Sequence, residues 1–113
     1  MIEFDVSTDS QGIGIVVPRG RLTMVSAPEL RQLLTGLVEQ GTVRIVIDLA
    51  ETTFMDSSGL GALIAGLKSA RQAGGDLRIA RPTEAVSTVL KLTNLDKVLR
   101  PRDSVEEIGR AHV

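Results

Sequence analysis

Residues 43–61, VRIVIDLAETTFMDSSGLG, pass from a run of β-branched residues through a polar turn into the start of a helix. The run Val43–Leu49 is apolar at most positions, which is typical of a central strand covered on both faces. After the turn, apolar residues recur at helical spacing and stop before Gly74 and Gly75. A buried strand, a turn and an amphipathic helix in succession indicate an α/β protein.

On either side of this stretch, strands and helices alternate along the chain. The sequence predicts strands at Ile2–Thr8, Ile13–Val17, Val43–Leu49, Asp76–Ala80 and Val98–Leu99, and helices after Ser26, after Asp56, over Thr83–Leu92 and after Ser104. A loop is expected over Gly20–Val25. The resulting order, β-β-α-β-α-β-α-β-α, predicts an α/β fold with helices packed against a mixed, mainly parallel sheet.

The first helix has a clear start signal. Ser26-Ala27-Pro28-Glu29 has the pattern of a capping box, with Ser26 as the N-cap and Glu29 three residues later. Pro28 lies in the first turn, where a missing N–H costs little. Gly41 is expected to end this helix.

Length and composition limit the classes of function. The 113 residues suit one domain spanning 1–113, and 42% hydrophobic with 24% charged residues is an ordinary globular balance. A net charge of −1 and only two aromatic residues argue against direct nucleic-acid binding. Because cysteine is absent and the apolar runs are short, we expect no thiolate metal site and no membrane insertion. With no signal-peptide pattern at the start, the chain is expected to be cytoplasmic.

Catalytic constellations are also missing. The single histidine, His112, is next to the last residue, so a Ser-His-Asp triad is hard to assemble. No phosphate-binding loop is present, and the small residues Gly61 and Gly66 are better explained by close helix packing. Asp48, Glu51 and Asp56 are expected to point in different directions and to hold no metal. The chain is therefore predicted to be no enzyme and to need no cofactor.

The turn Asp56-Ser57-Ser58-Gly59 is the remaining candidate site. It follows a strand and begins a helix, where open α/β sheets place functional groups. Asp56 is expected to cap the helix, which leaves Ser57 exposed in the first turn, where the helix end favours a phosphate group. These residue types alone leave two interpretations open: a phosphorylation switch, or serines that serve only as capping hydroxyls.

The run Phe54-Met55-Asp56-Ser57-Ser58-Gly59-Leu60-Gly61 resembles the signature of anti-sigma factor antagonists, which are bacterial STAS-domain proteins. Further segments are similar to the family's first helix, the strand before the turn, and a late segment: residues 26–31, 43–49 and 92–98. The resemblance extends over nearly the whole chain and implies the STAS fold.

The resemblance implies a partner-switching mechanism. The unphosphorylated protein would bind an anti-sigma factor that is also a serine kinase, and would thereby release a sigma factor. The kinase would phosphorylate Ser57, with Asp56, Ser58 and Gly59 around the phosphorylation site, and a serine phosphatase would reverse the step. ATP would belong to the kinase.

A contact surface for the partner is expected beside the phosphorylation site. Its candidate residues are Thr23, Met24, Val25, Met55 and Leu60, with the outer face of the second helix, and the first four are expected to be exposed. Methionine suits an adaptable interface. For the segment at 24–25, packing against the protein's own core is an equally good interpretation.

One departure from the family pattern lies before the first helix. The family commonly has Gly-Glu-Leu-Asp there, whereas this chain has Gly20-Arg21-Leu22-Thr23, which leaves the choice of partner open.

A STAS interaction module of another assembly, such as a stress-signalling complex or a lipid-transport or secretion apparatus, is the alternative function. A small nucleotide-binding or hydrolytic protein is a third hypothesis, and the protein is expected to be a monomer or weak dimer.

Overall fold

The computed structural model describes residues 2–99, which form five strands and four helices. The elements are β1 Glu3–Thr8, β2 Gly14–Leu22, α1 Ala27–Glu39, β3 Arg44–Asp48, β4 Thr52–Met55, α2 Ser57–Gln72, β5 Asp76–Ala80, α3 Glu84–Leu92 and α4 Asp96–Leu99. None of the helices in this part of the chain is both long and apolar enough to cross a bilayer.

The five strands form one mixed sheet in which β1, β2, β3 and β5 follow one another. β1 is antiparallel to β2, while β2 is parallel to β3 and β3 is parallel to β5. The far end of β2, Gly20–Leu22, pairs in parallel with β4. One antiparallel and three parallel pairings confirm the predicted α/β fold with a mainly parallel sheet.

β3 is the central strand, as its composition predicts. Ile45 and Ile47 are fully buried in the main core, which lies between the sheet and the helices. Val46 points to the other face and packs with Ile13 and Ala80 in a second, smaller cluster. Burial on both faces explains why apolar residues run on through this strand without alternation.

The predicted order of elements is wrong at two places. The segment Thr52–Met55 is a strand that was not predicted, whereas the dipeptide Val98–Leu99 lies in α4 and not in an edge strand. The order over the described residues is therefore β-β-α-β-β-α-β-α-α. The helix predicted after Ser104 lies outside the described residues.

β4 is held by side chains as well as by its ladder with β2. The buried hydroxyl of Thr52 donates to the Pro18 carbonyl at 2.9 Å, and the Thr83 hydroxyl donates to the Thr52 carbonyl at 3.0 Å. The Gly20 N–H donates to the Glu51 carbonyl at 3.0 Å. These bonds join β4 to β2 on one side and to the start of α3 on the other.

Ser26 does not cap α1 in the predicted way. Its backbone is already helical, with φ −102° and ψ −16°, and its side chain makes no cap hydrogen bond. The Oγ instead accepts from the Thr23 N–H at 3.1 Å and donates to the Arg21 carbonyl at 3.1 Å. The serine therefore closes the turn between β2 and α1. Gly41 has φ +92° just beyond the helix, which agrees with its predicted role at the helix end.

β2 continues to Leu22, five residues beyond the predicted strand end at Val17. The expected loop over Gly20–Val25 is therefore short and covers only residues 23–26, which we call the β2–α1 turn. Because β2 and β4 are parallel and Leu22 lies opposite Met55, both strands end at the same edge of the sheet. The β2–α1 turn and the start of α2 are thus neighbours.

Candidate functional site

Asp56 connects the two turns at this edge of the sheet. Its backbone is extended, and its Oδ1 accepts the Gly59 N–H at 3.0 Å, which confirms the predicted cap of α2. Its Oδ2 accepts the Met24 N–H of the β2–α1 turn at 3.0 Å. The Asp56 N–H donates to the Leu22 carbonyl at 3.2 Å. One residue therefore ties the start of α2 to β2 and to the turn that follows β2.

The carboxylate of Asp56 is stabilised in its ionised form. The hydrogen bond from the Gly59 N–H, with a further one from the Met24 N–H, holds the pKa of Asp56 below its ordinary value despite partial desolvation. A negative charge at this place also suits the positive end of the α2 dipole. Asp56 is therefore a fixed anion directly before the two serines.

The two serines differ in accessibility. Ser57 is the first residue of α2 and is exposed, whereas Ser58 is partly buried. An exposed hydroxyl at the first position of a helix can be reached by a modifying enzyme, and a phosphate there would face the positive helix end. Of the two hydroxyls, that of Ser57 is the better acceptor for a phosphoryl group.

Gly59 fixes the distance between α2 and β2. A Cβ added at this position would lie 2.5 Å from the Leu22 carbonyl oxygen and 3.0 Å from carbons of Leu22 and Met55. Real Cβ atoms do not approach a backbone oxygen so closely, so a larger residue would separate the helix from the strand. The glycine of the turn is therefore a packing requirement that positions Ser57.

The side chains of Met24 and Val25 project from the β2–α1 turn into solvent. They are 71% and 88% exposed, whereas Thr23 is partly buried and its carbonyl accepts the N–H groups of Ser26 and Ala27. The interpretation in which this segment packs on its own core is wrong for these two side chains. An exposed apolar pair lies beside the Asp56 carboxylate.

Two residues predicted as partner contacts are buried. Met55 is 2% exposed and Leu60 is 5% exposed, and both belong to the main core. Met55 lies opposite Leu22 in the β2–β4 ladder, so both side chains face inward. Leu60 lies on the core-facing side of α2. These residues support the surface from beneath and do not form it.

Phe54 is the surface residue at this edge that the sequence analysis missed. Its ring is 39% exposed, and the Arg21 guanidinium lies 4.5 Å from the ring centroid. The two residues are register partners in β2 and β4, so they share the outward face of the sheet edge. Since β4 was not predicted, no register was available from which to place Phe54. The arginine that departs from the family pattern is therefore part of the surface at this edge.

The acidic residues considered as metal ligands are engaged separately. Asp48 is buried and pairs with Arg81, while Glu51 pairs with Arg19 at 2.9 Å. Asp56 caps α2 by accepting the Gly59 N–H. Over residues 2–99, no group of three or more potential metal ligands comes together.

The hydrogen bonds of Asp56 predict a pH-dependent contribution to stability. Because its folded-state pKa is lowered, ionised Asp56 stabilises the fold above its ordinary pKa of about 3.9, and this stabilisation is lost as the pH falls through the folded-state pKa. We expect Asp56→Asn to lower the Tm at neutral pH, because an asparagine has one acceptor oxygen for two N–H donors. The difference in Tm from wild type should shrink below about pH 4.

Thermal unfolding followed by circular dichroism, from about pH 7 to pH 2.5, measures this difference. A difference in Tm between wild type and Asp56→Asn that stays constant over the whole range would contradict the prediction.

Residues 6–108 match the family model for the STAS domain. The anti-sigma-B factor antagonist of Staphylococcus aureus strain NCTC 8325 is 29% identical over 87 residues, which cover 77% of this chain and 81% of that protein. The likeness therefore extends over most of both proteins, and the family match includes the turn at Asp56.

Two solved structures resemble this one closely. A Thermotoga maritima protein assigned as an anti-sigma factor antagonist has a TM-score of 0.89 at 27% identity, covering 96% of this chain and 92% of that chain. An anti-sigma factor antagonist from Mycobacterium paratuberculosis has a TM-score of 0.86 at 28% identity, covering 98% of this chain and 93% of that chain. The similarity covers nearly all of this chain, so its overall fold has counterparts in these proteins.

Proposed function

The chain belongs to the STAS domain family, and on that premise we propose that it is an anti-sigma factor antagonist switched off by phosphorylation at Ser57. In its unphosphorylated form it binds an anti-sigma factor that is also a serine kinase, and a sigma factor is thereby released. A serine phosphatase restores the binding form. The protein is a regulator that acts by binding and not by catalysis.

The observation that carries this proposal is the setting of Ser57. The hydroxyl is exposed at the first position of α2, directly after the capping Asp56, whose carboxylate also accepts the N–H of the exposed Met24. A structural cap needs only the carboxylate, which already accepts the Gly59 N–H. The exposed hydroxyl of Ser57 therefore remains available for modification, at the same edge of the sheet as the exposed Met24 and Val25.

The chemistry of the switch belongs to the partner enzymes. The kinase transfers the γ-phosphoryl group of ATP to the Ser57 Oγ: a new O–P bond forms, the bond to the leaving ADP breaks, and the hydroxyl proton passes to a base of the kinase. The phosphatase then hydrolyses the O–P bond and releases inorganic phosphate. This chain contributes only an accessible acceptor hydroxyl and a rigid helix start.

The proposed contact surface consists of Thr23, Met24 and Val25 with the outer face of α2. When a partner covers apolar side chains as exposed as Met24 and Val25, their burial stabilises the complex. Met55 and Leu60, which are buried, hold this surface in place. We further propose that residues 1–113 act as one cytoplasmic domain, as a monomer or weak dimer.

The proposal is tested by intact-mass spectrometry after incubation with ATP and the cognate anti-sigma factor kinase. Wild type should gain the mass of one phosphoryl group, and Ser57→Ala should gain none. Ser58→Ala is the matched control, since it removes the neighbouring, partly buried hydroxyl. It should be phosphorylated as wild type is.

An active kinase that leaves wild type unmodified, or that modifies Ser57→Ala equally, would reject the phosphorylation switch. The chain would then be assigned to the other group of STAS modules, which act in an assembly without phosphorylation.

A further inference from the structure

Arg31 of α1 reaches across to the first turns of α2. One of its guanidinium nitrogens lies 3.1 Å from the position that a Cβ of Gly61 would occupy. Gly61 follows Ser57 by four residues in the same helix. The guanidinium therefore lies over the face of α2 that carries Ser57 at its start.

Helix geometry places this guanidinium within reach of a group on Ser57. Residues four apart are neighbours on one face, with Cβ atoms about 5–6 Å apart. One guanidinium nitrogen lies beside the Cβ position of Gly61, so a phosphate on Ser57, one turn earlier on the same face, is within reach of the long Arg31 side chain. Because Gly61 has no side chain, nothing of its own stands between Arg31 and the first turn.

The positive charge of Arg31 would stabilise a phosphate on Ser57. Arg31 is exposed, and no salt bridge holds it in the part of the chain that the structure describes. Asp56 is a fixed anion next to Ser57, so it would repel a phosphate there. Of the other cationic side chains near this edge, Arg21 is stacked on Phe54, and Lys68 lies about three turns along α2. Arg31 is the cation best placed to offset the repulsion.

We propose that Arg31 is the internal partner of phosphorylated Ser57. This inference rests on the proposed phosphorylation of Ser57 and identifies the residue that binds the resulting phosphate. The guanidinium offers paired N–H donors to phosphate oxygens, and it favours the dianion over the monoanion. Arg31 thus holds the phosphate against the start of α2 and raises its dianionic fraction at neutral pH, and the dianion opposes partner binding more strongly than the monoanion.

The test uses protein with phosphoserine encoded genetically at position 57, so it does not depend on any kinase. A ³¹P NMR titration gives the second pKa of the phosphate in the wild-type background, in Arg31→Gln and in Lys68→Gln. We expect Arg31→Gln to raise this pKa by about half a unit or more from the wild-type value. Lys68→Gln, which removes an exposed cation further along α2, should leave it unchanged.

A second readout reports the contact directly. In protein labelled with ¹⁵N-arginine, the Nε–H resonance of Arg31 should shift downfield when position 57 is phosphoserine, and it should return as the phosphate is protonated. Arg31→Lys should raise the phosphate pKa less than Arg31→Gln does, because lysine keeps the positive charge without the planar fork.

Equal phosphate pKa values in wild type and Arg31→Gln, with an unmoved Nε–H resonance, would overturn the inference about Arg31. That result would leave the proposed function intact, because the kinase experiment tests phosphorylation separately. Conversely, a kinase that ignores Ser57 would reject the switch, while the titration would still measure the contact.

Discussion

A phosphoryl group on Ser57 is expected to weaken binding of the anti-sigma factor by more than about a hundredfold. Ser57 is exposed and directly follows Asp56, whose carboxylate accepts the Met24 N–H at 3.0 Å, and the apolar side chains of Met24 and Val25 are 71% and 88% exposed. A partner that covers these side chains also covers Ser57. Its surface must then fit either a neutral hydroxyl or a group carrying about −1.5 to −2 charges.

The magnitude follows from the cost of desolvating that charge. An unpaired charge in an interface costs several kcal/mol, and a loss of about 3 kcal/mol already corresponds to more than a hundredfold in Kd. Arg31 offsets at most one of these negative charges, while the Asp56 carboxylate adds another at neutral pH. The balance near Ser57 therefore stays strongly negative after phosphorylation.

Isothermal titration calorimetry with the purified partner measures this effect. The matched control carries phosphoserine at Ser10, an exposed residue in the turn between β1 and β2. It adds the same charge away from the proposed surface and should leave Kd within about threefold of wild type. Equal affinities of the Ser57 phosphoprotein and the unmodified protein would reject the proposed surface.

Regular patterns allowed most of the fold to be predicted. β3 could be recognised because burial on both faces demands a continuous apolar run, and α2 because its apolar stripe repeats at helical spacing. Its N-cap, Asp56, follows from residue preference, since a short carboxylate next to free N–H groups is favoured there. In each of these cases the residues of the element itself determine its structure, so the local sequence predicts it.

β4 could not be predicted because its cause is not local. Thr52–Met55 is only four residues long, and its burial does not alternate: Thr53 and Phe54 are exposed, while the two end residues are buried. The strand exists because the far end of β2, at Gly20–Leu22, offers a parallel edge. Conversely, Val98–Leu99 looks like a strand by composition, but Leu99 buries its side chain in the core from a short helix. Tertiary contacts override a propensity that rests on two residues.

The candidate site also has some features that the local sequence predicts and others that depend on tertiary packing. Asp56 and Ser57 could be predicted because a turn before a helix has known residue preferences. The burial of Met55 and Leu60 depends on strand register and on which face of α2 packs inward. The position of Arg31 above Gly61 depends on how α1 crosses α2. These features arise from packing between elements, so spacing along the chain did not indicate them.

Replacement of Gly59 by alanine is expected to destabilise the fold by about 3 kcal/mol, the upper part of the usual range for overpacking. The new Cβ would lie 2.5 Å from the Leu22 carbonyl oxygen, a backbone atom of β2 that also accepts the Asp56 N–H. The oxygen cannot move away without disturbing the ladder between β2 and β4 at Leu22 and Met55. α2 must therefore shift outward, and a cavity or a strained cap results. The Tm should fall by roughly 10–20 °C.

Gly61→Ala is the matched control, because it makes the same chemical change one half-turn further along α2. Its new Cβ would meet only the end of the Arg31 side chain, at 3.1 Å, and a flexible, exposed guanidinium can move by a few tenths of an ångström. Alanine is favoured over glycine inside a helix by about 1 kcal/mol, so this variant should be as stable as wild type or more stable. Urea unfolding compares the two variants directly. Equal stabilities would mean that α2 can move away from β2 at little cost, and that Gly59 does not fix the position of Ser57.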